Sequence, residues 1–292
     1  MFSEHMTKLR QIDGLREVQL HGTRCIIHRD HRWTLVILHW AQQLGLAPSP
    51  CNLVMFDAHH DSCEPFSAGR LDQARKSGLT TDDLFDICAG RKHSDDNERL
   101  STLDDDWVQA GMRLGLIGNA VVFGVHDSGM NFPLKVEDAI GEAHWIDLLP
   151  RPNSALGYQG GLGDSIRVNR RAWETLGWEQ QGERRWFGHA SPPVLFDIDL
   201  DYFAIPWADY LFPWPDEIFE SEFLTPSKQY TTQDMTTRDF FLGLLDRAAL
   251  LTVATEPRHC GDGDQEGPKV ASILRRLNSY AFNGRMELDT LG

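Results

Sequence analysis

Two short segments of the sequence combine carboxylates with histidine at spacings that suit metal binding. The first, Asp57-Ala58-His59-His60-Asp61, follows an apolar run at residues 53–56, and the second, Asp197-Ile198-Asp199, follows an apolar run at residues 194–196. A carboxylate that leaves water without a partner is costly, so acidic residues beside core strands need compensation by cations. Oxygen ligands with some imidazole suit Mn²⁺ better than a thiolate-rich zinc site does.

The spacing within each segment also favours a shared site. Residues two apart on an extended chain point to the same side, and both Asp57 with His59 and Asp197 with Asp199 have this spacing. With Asp61 and a histidine from an earlier strand, they supply ligands for two cations. Paired cations about 3.5–4 Å apart can activate water. The predicted chemistry is therefore metal-dependent hydrolysis.

The elements that must position these residues alternate between strand and helix. Apolar runs predict strands at residues 24–28, 53–56, 121–125, 194–196 and 251–255. Helical periodicity predicts helices at 33–44, with Asp30 as N-cap, at 240–250 and at 270–277, whereas residues 204–230 resemble a long ordered loop. This order predicts an α/β fold with a mainly parallel sheet, and such sheets bind ligands at the carboxyl ends of their strands.

Four motifs together resemble the arginase, agmatinase and formimidoylglutamase superfamily of ureohydrolases. The first segment matches its Asp-Ala-His-x-Asp signature, and Phe196-Asp197-Ile198-Asp199 is similar to its Phe-Asp-Val-Asp signature. Asp30-His31 is similar to the Asp-His of its first metal-binding loop, and Thr255-Glu256-Pro257 resembles its strand-end glutamate that grips a guanidinium. The resemblance implies a three-layer α/β/α sandwich of the arginase/deacetylase type, with one catalytic domain over residues 1–292 and insertions near 64–107 and 151–190.

Carried over residue by residue, the resemblance implies a pair of Mn²⁺ ions, with other divalent cations as alternatives. One metal would be held by His31, Asp57, Asp61 and Asp197, and the other by Asp57, His59, Asp197 and Asp199. Glu256 would be the catalytic, substrate-binding partner of the guanidinium. The family's Gly-Gly before Asp-His is replaced by His28-Arg29, so His28 competes with His31 as the first ligand.

The departures from the family pattern resemble a divergent branch that includes peptide arginases, which convert arginine within a precursor peptide into ornithine. Asp197-Ile198-Asp199-Leu200-Asp201-Tyr202-Phe203 and Glu256-Pro257-Arg258-His259-Cys260-Gly261-Asp262 carry this narrower resemblance. It implies hydrolysis of a peptidyl arginine to ornithine and urea, with an arginine-containing peptide or a small guanidino compound as partner. A free-substrate ureohydrolase, a deacetylase-like amidohydrolase and a binding protein without activity are the alternatives.

Other polar residues near the strand ends have open roles. His126 is the first candidate for the acid that protonates the leaving amine, and His60 is the second; a structural histidine is the alternative for His126. Asp201 either orients a ligand or is an exposed strand-end carboxylate. Cys260 has no motif that would supply a base, so we expect it to be structural.

Composition excludes several partners. The 292 residues include 28 basic and 43 acidic ones, a formal net charge of −15, which argues against nucleic acid and anionic membranes. The five cysteines form no CxxC pair, so neither a disulfide framework nor a structural zinc site is expected. No secretion signal or membrane-spanning apolar run is recognisable, so a cytoplasmic enzyme is expected.

Overall fold

A central sheet of eight strands dominates the computed structural model, which describes residues 8–20, 22–65, 68–89, 105–124, 133–149, 174–181, 184–187, 192–207, 210–225 and 236–286. The strand order is β1-β2-β12-β9-β3-β4-β6-β5. The two edge pairs, β1 with β2 and β5 with β6, are antiparallel, and all other neighbours are parallel. The sheet strands are β1 (Arg16–Leu20), β2 (Thr23–His28), β3 (Cys51–Phe56), β4 (Ile117–Phe123), β5 (Leu134–Glu137), β6 (Ala143–Leu149), β9 (Val194–Asp199) and β12 (Ala248–Ala254).

Helices cover both faces of this sheet, so the predicted three-layer α/β/α architecture is confirmed. On one face, an aliphatic-rich core joins the sheet to α1 (Trp33–Gln43), α2 (Ala68–Ser77), α3 (Thr81–Cys88) and α4 (Trp107–Arg113). On the other face, a core rich in phenylalanine joins it to α5 (Asp216–Leu224), α6 (Thr237–Leu245) and α7 (Pro268–Tyr280). Because both faces are buried, the inner strands carry nearly continuous apolar runs.

Outside the sheet, the described residues also form two small hairpins and two 3-10 helices, Leu9–Gln11 and Leu200–Phe203. Strands β7 (Trp178–Gln181) and β8 (Arg184–Phe187) pair with each other, and so do β10 (Ala204–Trp207) and β11 (Tyr210–Pro213). The first hairpin lies in the predicted insertion near 151–190, and α2 and α3 lie in the one near 64–107. That these segments are insertions into one domain stays a prediction.

The predicted strands are confirmed, but four details of the sequence interpretation are wrong. Residues 204–230 are not one loop, because they contain the β10–β11 hairpin and α5. The helix predicted over 240–250 ends at Leu245, and residues 248–250 begin β12. Helix α1 is capped at Arg32, with no capping hydrogen bond from that side chain; Asp30 instead accepts from Arg32. Finally, Asp197 and Asp199 lie inside β9, not beyond its end.

No helix in the described part of the chain has the length and apolarity to cross a bilayer.

Candidate metal centre

Four neighbouring strands deliver the candidate residues to one edge of the sheet. In the order β2-β12-β9-β3, each strand is parallel to the next. Their carboxyl ends lead to His28, Glu256, Asp199 and Asp57, respectively. Ala254 of β12 is paired with both His28 and Asp199, so these ends lie at the same level. The motifs therefore meet, although His31 and Glu256 are 225 residues apart in sequence.

His31 lies among four carboxylates at this edge. Its Nε2 is 2.6 Å from Oδ2 of Asp197, and its Nδ1 is 2.8 Å from Oδ2 of Asp61, 3.1 Å from Asp199 and 3.4 Å from Asp57. All five side chains are buried. The structure thus brings together five of the six predicted metal ligands.

Asp197 is fixed by two hydroxyl groups. It is fully buried within β9, opposite Thr252 of β12. The Thr252 hydroxyl donates a short hydrogen bond to Asp197 Oδ1, and the Thr34 hydroxyl of α1 lies 3.3 Å from the same oxygen. Because Oδ1 receives these donors, Oδ2 is turned toward His31. Two elements therefore hold this carboxylate in one orientation.

The segment after β3 turns sharply to place its two aspartates. Asp61 has a backbone φ of +41°, in the left-handed region that is unusual for residues other than glycine. The Trp107 indole N–H donates to Asp61 Oδ2 over 2.8 Å, and the His59 backbone N–H donates to Asp57 Oδ1 over 2.7 Å. Gly124 adjoins this turn, and a Cβ there would lie 2.6 Å from the Asp57 carbonyl oxygen.

Glu256 follows β12 in a similarly strained conformation, with φ of +33°. Its backbone N–H donates to the Arg29 carbonyl over 2.9 Å, and its Oε1 accepts from the His31 backbone N–H over 2.7 Å. Burial raises the pKa of the Glu256 carboxyl, and the charge of Asp30 adds to that effect. Glu256 is therefore tied to the same loop that carries His31.

The two competing histidines have different surroundings. His28 is fully buried, with Nδ1 3.0 Å from the Asp30 carbonyl oxygen and Nε2 3.2 Å from the Thr34 hydroxyl. Burial lowers the pKa of His28 to about 4, so its ring is neutral at neutral pH. Whereas His28 faces these neutral groups, His31 faces the carboxylates. This geometry favours His31 as the first ligand.

The charge balance of the cluster fits bound cations. Burial raises the pKa of both Asp57 and Asp199 well above the ordinary value, and neighbouring carboxylates raise both further. Burial lowers the pKa of His31, but Asp197 and Asp61 outweigh it and raise that pKa well above its usual range. Among the described residues, Asp57 Oδ2 has no hydrogen-bond partner. Four buried carboxylates against one imidazole thus have a shortage of positive charge, which divalent cations would supply.

The sixth predicted ligand, His59, lies beside a different carboxylate. Its Nδ1 is 2.8 Å from Asp201 Oδ2 and 3.8 Å from Asp57 Oδ1. His259 approaches the same Asp201 oxygen, with its Nδ1 at 3.8 Å. Burial raises the pKa of Asp201, but the His259 and His59 imidazoles outweigh it and hold that pKa well below its usual range. Asp201 is buried, which excludes the exposed alternative considered for it.

Sequence reasoning missed His259 as a site residue. The available signal was its position three residues after Glu256: the Cys260 N–H donates to the Glu256 carbonyl over 2.9 Å, so one helical turn returns His259 to the strand ends.

Two of the three remaining residues considered from the sequence, His60 and Cys260, are described. His126 lies outside the described residues. His60 accepts a hydrogen bond at Nδ1 from the Ser62 backbone N–H over 3.1 Å. Cys260 is buried, its thiol contacts the Thr255 carbonyl oxygen at 3.3 Å, and burial raises its pKa. These contacts agree with a structural role for Cys260.

Comparisons with known proteins give a likeness to solved structures. No protein-family model matches the chain, and no curated protein matches it. A crystal structure described as a hypothetical agmatinase from Burkholderia thailandensis is similar at 17% identity, with a TM-score of 0.36, over 86% of this chain and 55% of that one. The chain thus spans about half the length of that structure. The functional argument therefore rests on the site's own residues.

Proposed function

We propose that this protein is a metal-dependent hydrolase of the ureohydrolase type, which cleaves a guanidinium group to urea and an amine. The observation that carries the proposal is the cluster of Asp57, Asp61, Asp197 and Asp199 around His31, buried where four neighbouring strands end. Buried carboxylates without compensation are destabilising, so the cluster is best explained by the cations that it can hold.

We propose that two divalent cations bind here: His31, Asp57, Asp61, Asp197 and Asp199 surround the first position, and His59 is a ligand of the second. An oxygen-rich set with imidazole suits Mn²⁺. When bound, such a pair makes water nucleophilic near neutral pH and stabilises the charge that develops as water adds to the guanidinium carbon. The protein's own contribution is orientation, which the Thr252 and Trp107 donors provide at Asp197 and Asp61.

Glu256 is proposed to bind the cationic head of the substrate. A carboxylate and a guanidinium form two parallel charge-assisted hydrogen bonds. Glu256 Oε1 accepts from the His31 backbone N–H, so the carboxylate is held beside a metal ligand. Burial raises the pKa of Glu256, and a bound guanidinium would stabilise its charged form. A guanidinium bound by Glu256 would lie beside the loop that carries His31.

For the substrate class, we propose an arginine side chain presented on a peptide. His59 and His259 border the site with side chains 60% and 54% exposed, so the site has an open side that a side chain on a larger molecule can approach. The net charge of −15 favours a cationic substrate. Free arginine or agmatine is the alternative.

Urea release from the Mn²⁺-loaded protein tests the proposal. An arginine-containing peptide, free arginine, agmatine and an acetyl-lysine peptide would be compared as substrates. We expect urea from the peptide, with loss of most activity in Asp199→Asn and in Glu256→Gln. Asp216→Asn, which removes an exposed charge on α5, is the matched acid-to-amide control and should retain activity.

The outcomes separate the alternatives. Urea release from free arginine or agmatine, but not from the peptide, would support the ureohydrolase class and refute the peptide as substrate. Acetate release without urea would indicate a deacetylase-like amidohydrolase. Two bound metals with no turnover of any of these substrates would contradict guanidinium hydrolysis.

A further inference from the structure

We propose that the second cation of the pair is held by His59, Asp201 and His259, a ligand set that differs from the one implied by the resemblance. This inference rests on the proposed function for the existence of a second cation. The potential ligand atoms of these three residues all lie within 4.8 Å of one another. The imidazole rings of His59 and His259 are 5.6 Å apart at an interplanar angle of 60°. Both rings thus flank one carboxylate.

Asp201 is the central residue of this group. Its Oδ1 accepts from the Ala58 backbone N–H over 3.3 Å, whereas its Oδ2 is buried and has no hydrogen-bond partner among the described residues. The Nδ1 atoms of His59 and His259 face this oxygen at 2.8 and 3.8 Å, at ion-pair distance. Two imidazole nitrogens thus converge on one buried carboxylate oxygen, and a cation between them would have all three as ligand atoms.

The topology explains why these residues meet. His59 follows β3, Asp201 follows β9 and His259 follows β12, and these three strands are neighbours in the sheet. The Asp201 backbone N–H donates to Asp199 Oδ1 over 3.0 Å, so the new position is joined to the His31 cluster through one short turn. A set of two imidazoles and one carboxylate suits Mn²⁺, Co²⁺, Fe²⁺ or Zn²⁺.

The two positions would differ in access. The His31 cluster is buried, whereas two of the three ligands proposed here are more than half exposed. A rim position with three protein ligands leaves coordination sites for water or substrate. We therefore expect the rim cation to bind more weakly than the buried one.

Metal content provides a test that does not depend on activity. The protein would be stripped with a chelator and titrated with Co²⁺, followed by absorption spectroscopy and elemental analysis. The wild type should bind two equivalents, the second more weakly. In His259→Ala, the second equivalent should weaken by more than about tenfold while the first is retained. Arg258→Ala, which alters the exposed neighbour of His259, is the control and should bind as the wild type does.

Asp201→Asn should have the same effect as His259→Ala, and circular dichroism would confirm that both variants are folded. Unchanged binding of both equivalents by His259→Ala would overturn the inference, and so would a wild type that binds only one. Two equivalents in the wild type, one in His259→Ala and no urea from any substrate would support this metal position while refuting the proposed function. Urea release by the wild type, together with unchanged metal content in His259→Ala, would support the proposed function and refute this metal position.

Discussion

Replacement of Thr252 by valine tests whether the sheet itself orients Asp197, a proposed metal ligand that is buried. Thr252 is fully buried on β12, and its hydroxyl donates to Asp197 Oδ1 on the neighbouring strand. Valine keeps the β-branched shape and replaces the hydroxyl by a methyl group. Thr252→Val therefore removes one donor with little change in volume.

The expected magnitude follows from the neighbouring contacts. A hydrogen bond to a charged group contributes about 1.5–3 kcal/mol. Because the Thr34 hydroxyl still lies 3.3 Å from the same oxygen, we expect the lower part of that range, about 1.5–2 kcal/mol in the free energy of unfolding. A residue that orients a ligand also affects metal affinity by about 10–100-fold, and we expect the affinity of the buried site to fall by at least tenfold.

Two measurements check this prediction, with Thr252→Ser as the matched control. Urea denaturation of the chelator-treated protein gives the stability change, and competition with a metal-sensitive dye gives the affinity. Serine keeps the hydroxyl and loses a methyl group, so Thr252→Ser should lose some stability, about 1 kcal/mol, but retain metal affinity. Equal affinity in the two variants would refute the role of the hydroxyl.

Three further predictions concern the whole protein. Removal of cations by a chelator should lower the Tm by about 5–10 °C relative to protein held at a metal concentration 100 times the Kd. Scanning calorimetry with and without added Mn²⁺ measures this shift, and an unchanged Tm would argue against bound metal. Gly124→Ala should lower the free energy of unfolding in urea by about 2–4 kcal/mol, because its Cβ would lie 2.3 Å from the Tyr202 ring at a φ of +107°. The control is Gly141→Ala, which has a φ of +83° and open space around its Cβ and should lose about 1 kcal/mol from backbone strain alone. Equal losses of stability in the two variants would exclude the clash with Tyr202. Asp138→Asn should cost about 3 kcal/mol, because it leaves Arg75 without its buried partner. Burial raises the pKa of Asp138, but Arg75 and the N–H groups of Glu142 and Ile140 outweigh it and hold that pKa well below its usual range. The stabilisation by Asp138 is thus present above the unfolded pKa, about 4, and is lost as the pH falls toward the folded one. The stability difference between wild type and Asp138→Asn should therefore shrink in acid, and a difference independent of pH down to about pH 2 would contradict this assignment.

The central strands were predictable from sequence because they are buried on both faces. The runs that lead into Asp57 and Asp197 contain no polar residue to interrupt the signal. The edge strand β1, Arg16–Leu20, alternates polar and apolar residues only from Glu17 to Leu20, which is too short for a distinct pattern. The β10–β11 hairpin was missed because its proline and aromatic residues are equally common in loops.

The candidate site was predictable as a set of strand ends but not in its local geometry. No sequence pattern indicates that Asp61 and Glu256 take a positive φ, because both residues normally avoid that region. These two conformations depend on tertiary contacts, such as the Glu256 N–H that donates to the Arg29 carbonyl. The meeting of His259 with Asp201 has the same origin, since the turn after β12 must first fold back.

The alternation of side chains along the strands explains why the candidate ligands share one side of the sheet. On β9, Phe196 and Ile198 belong to the phenylalanine-rich core, whereas Leu195 belongs to the core beneath α1. Since side chains alternate with a period of two, Asp197 and Asp199 continue the Leu195 side. They therefore point toward α1, which carries Thr34.

The same parity holds on the strand beside β9. On β3, Leu53 and Met55 belong to the core beneath α1, and Asp57 follows in the same series. On the α1 side of each of these strands, successive side chains two residues apart are therefore first apolar core residues and then polar residues of the candidate site. A shift of one residue in the register of β9 would turn its two carboxylates into the phenylalanine-rich core, where burial without a counter-charge is costly. The charges of the candidate site thus specify the register of the sheet, even though they contribute nothing to its apolar core.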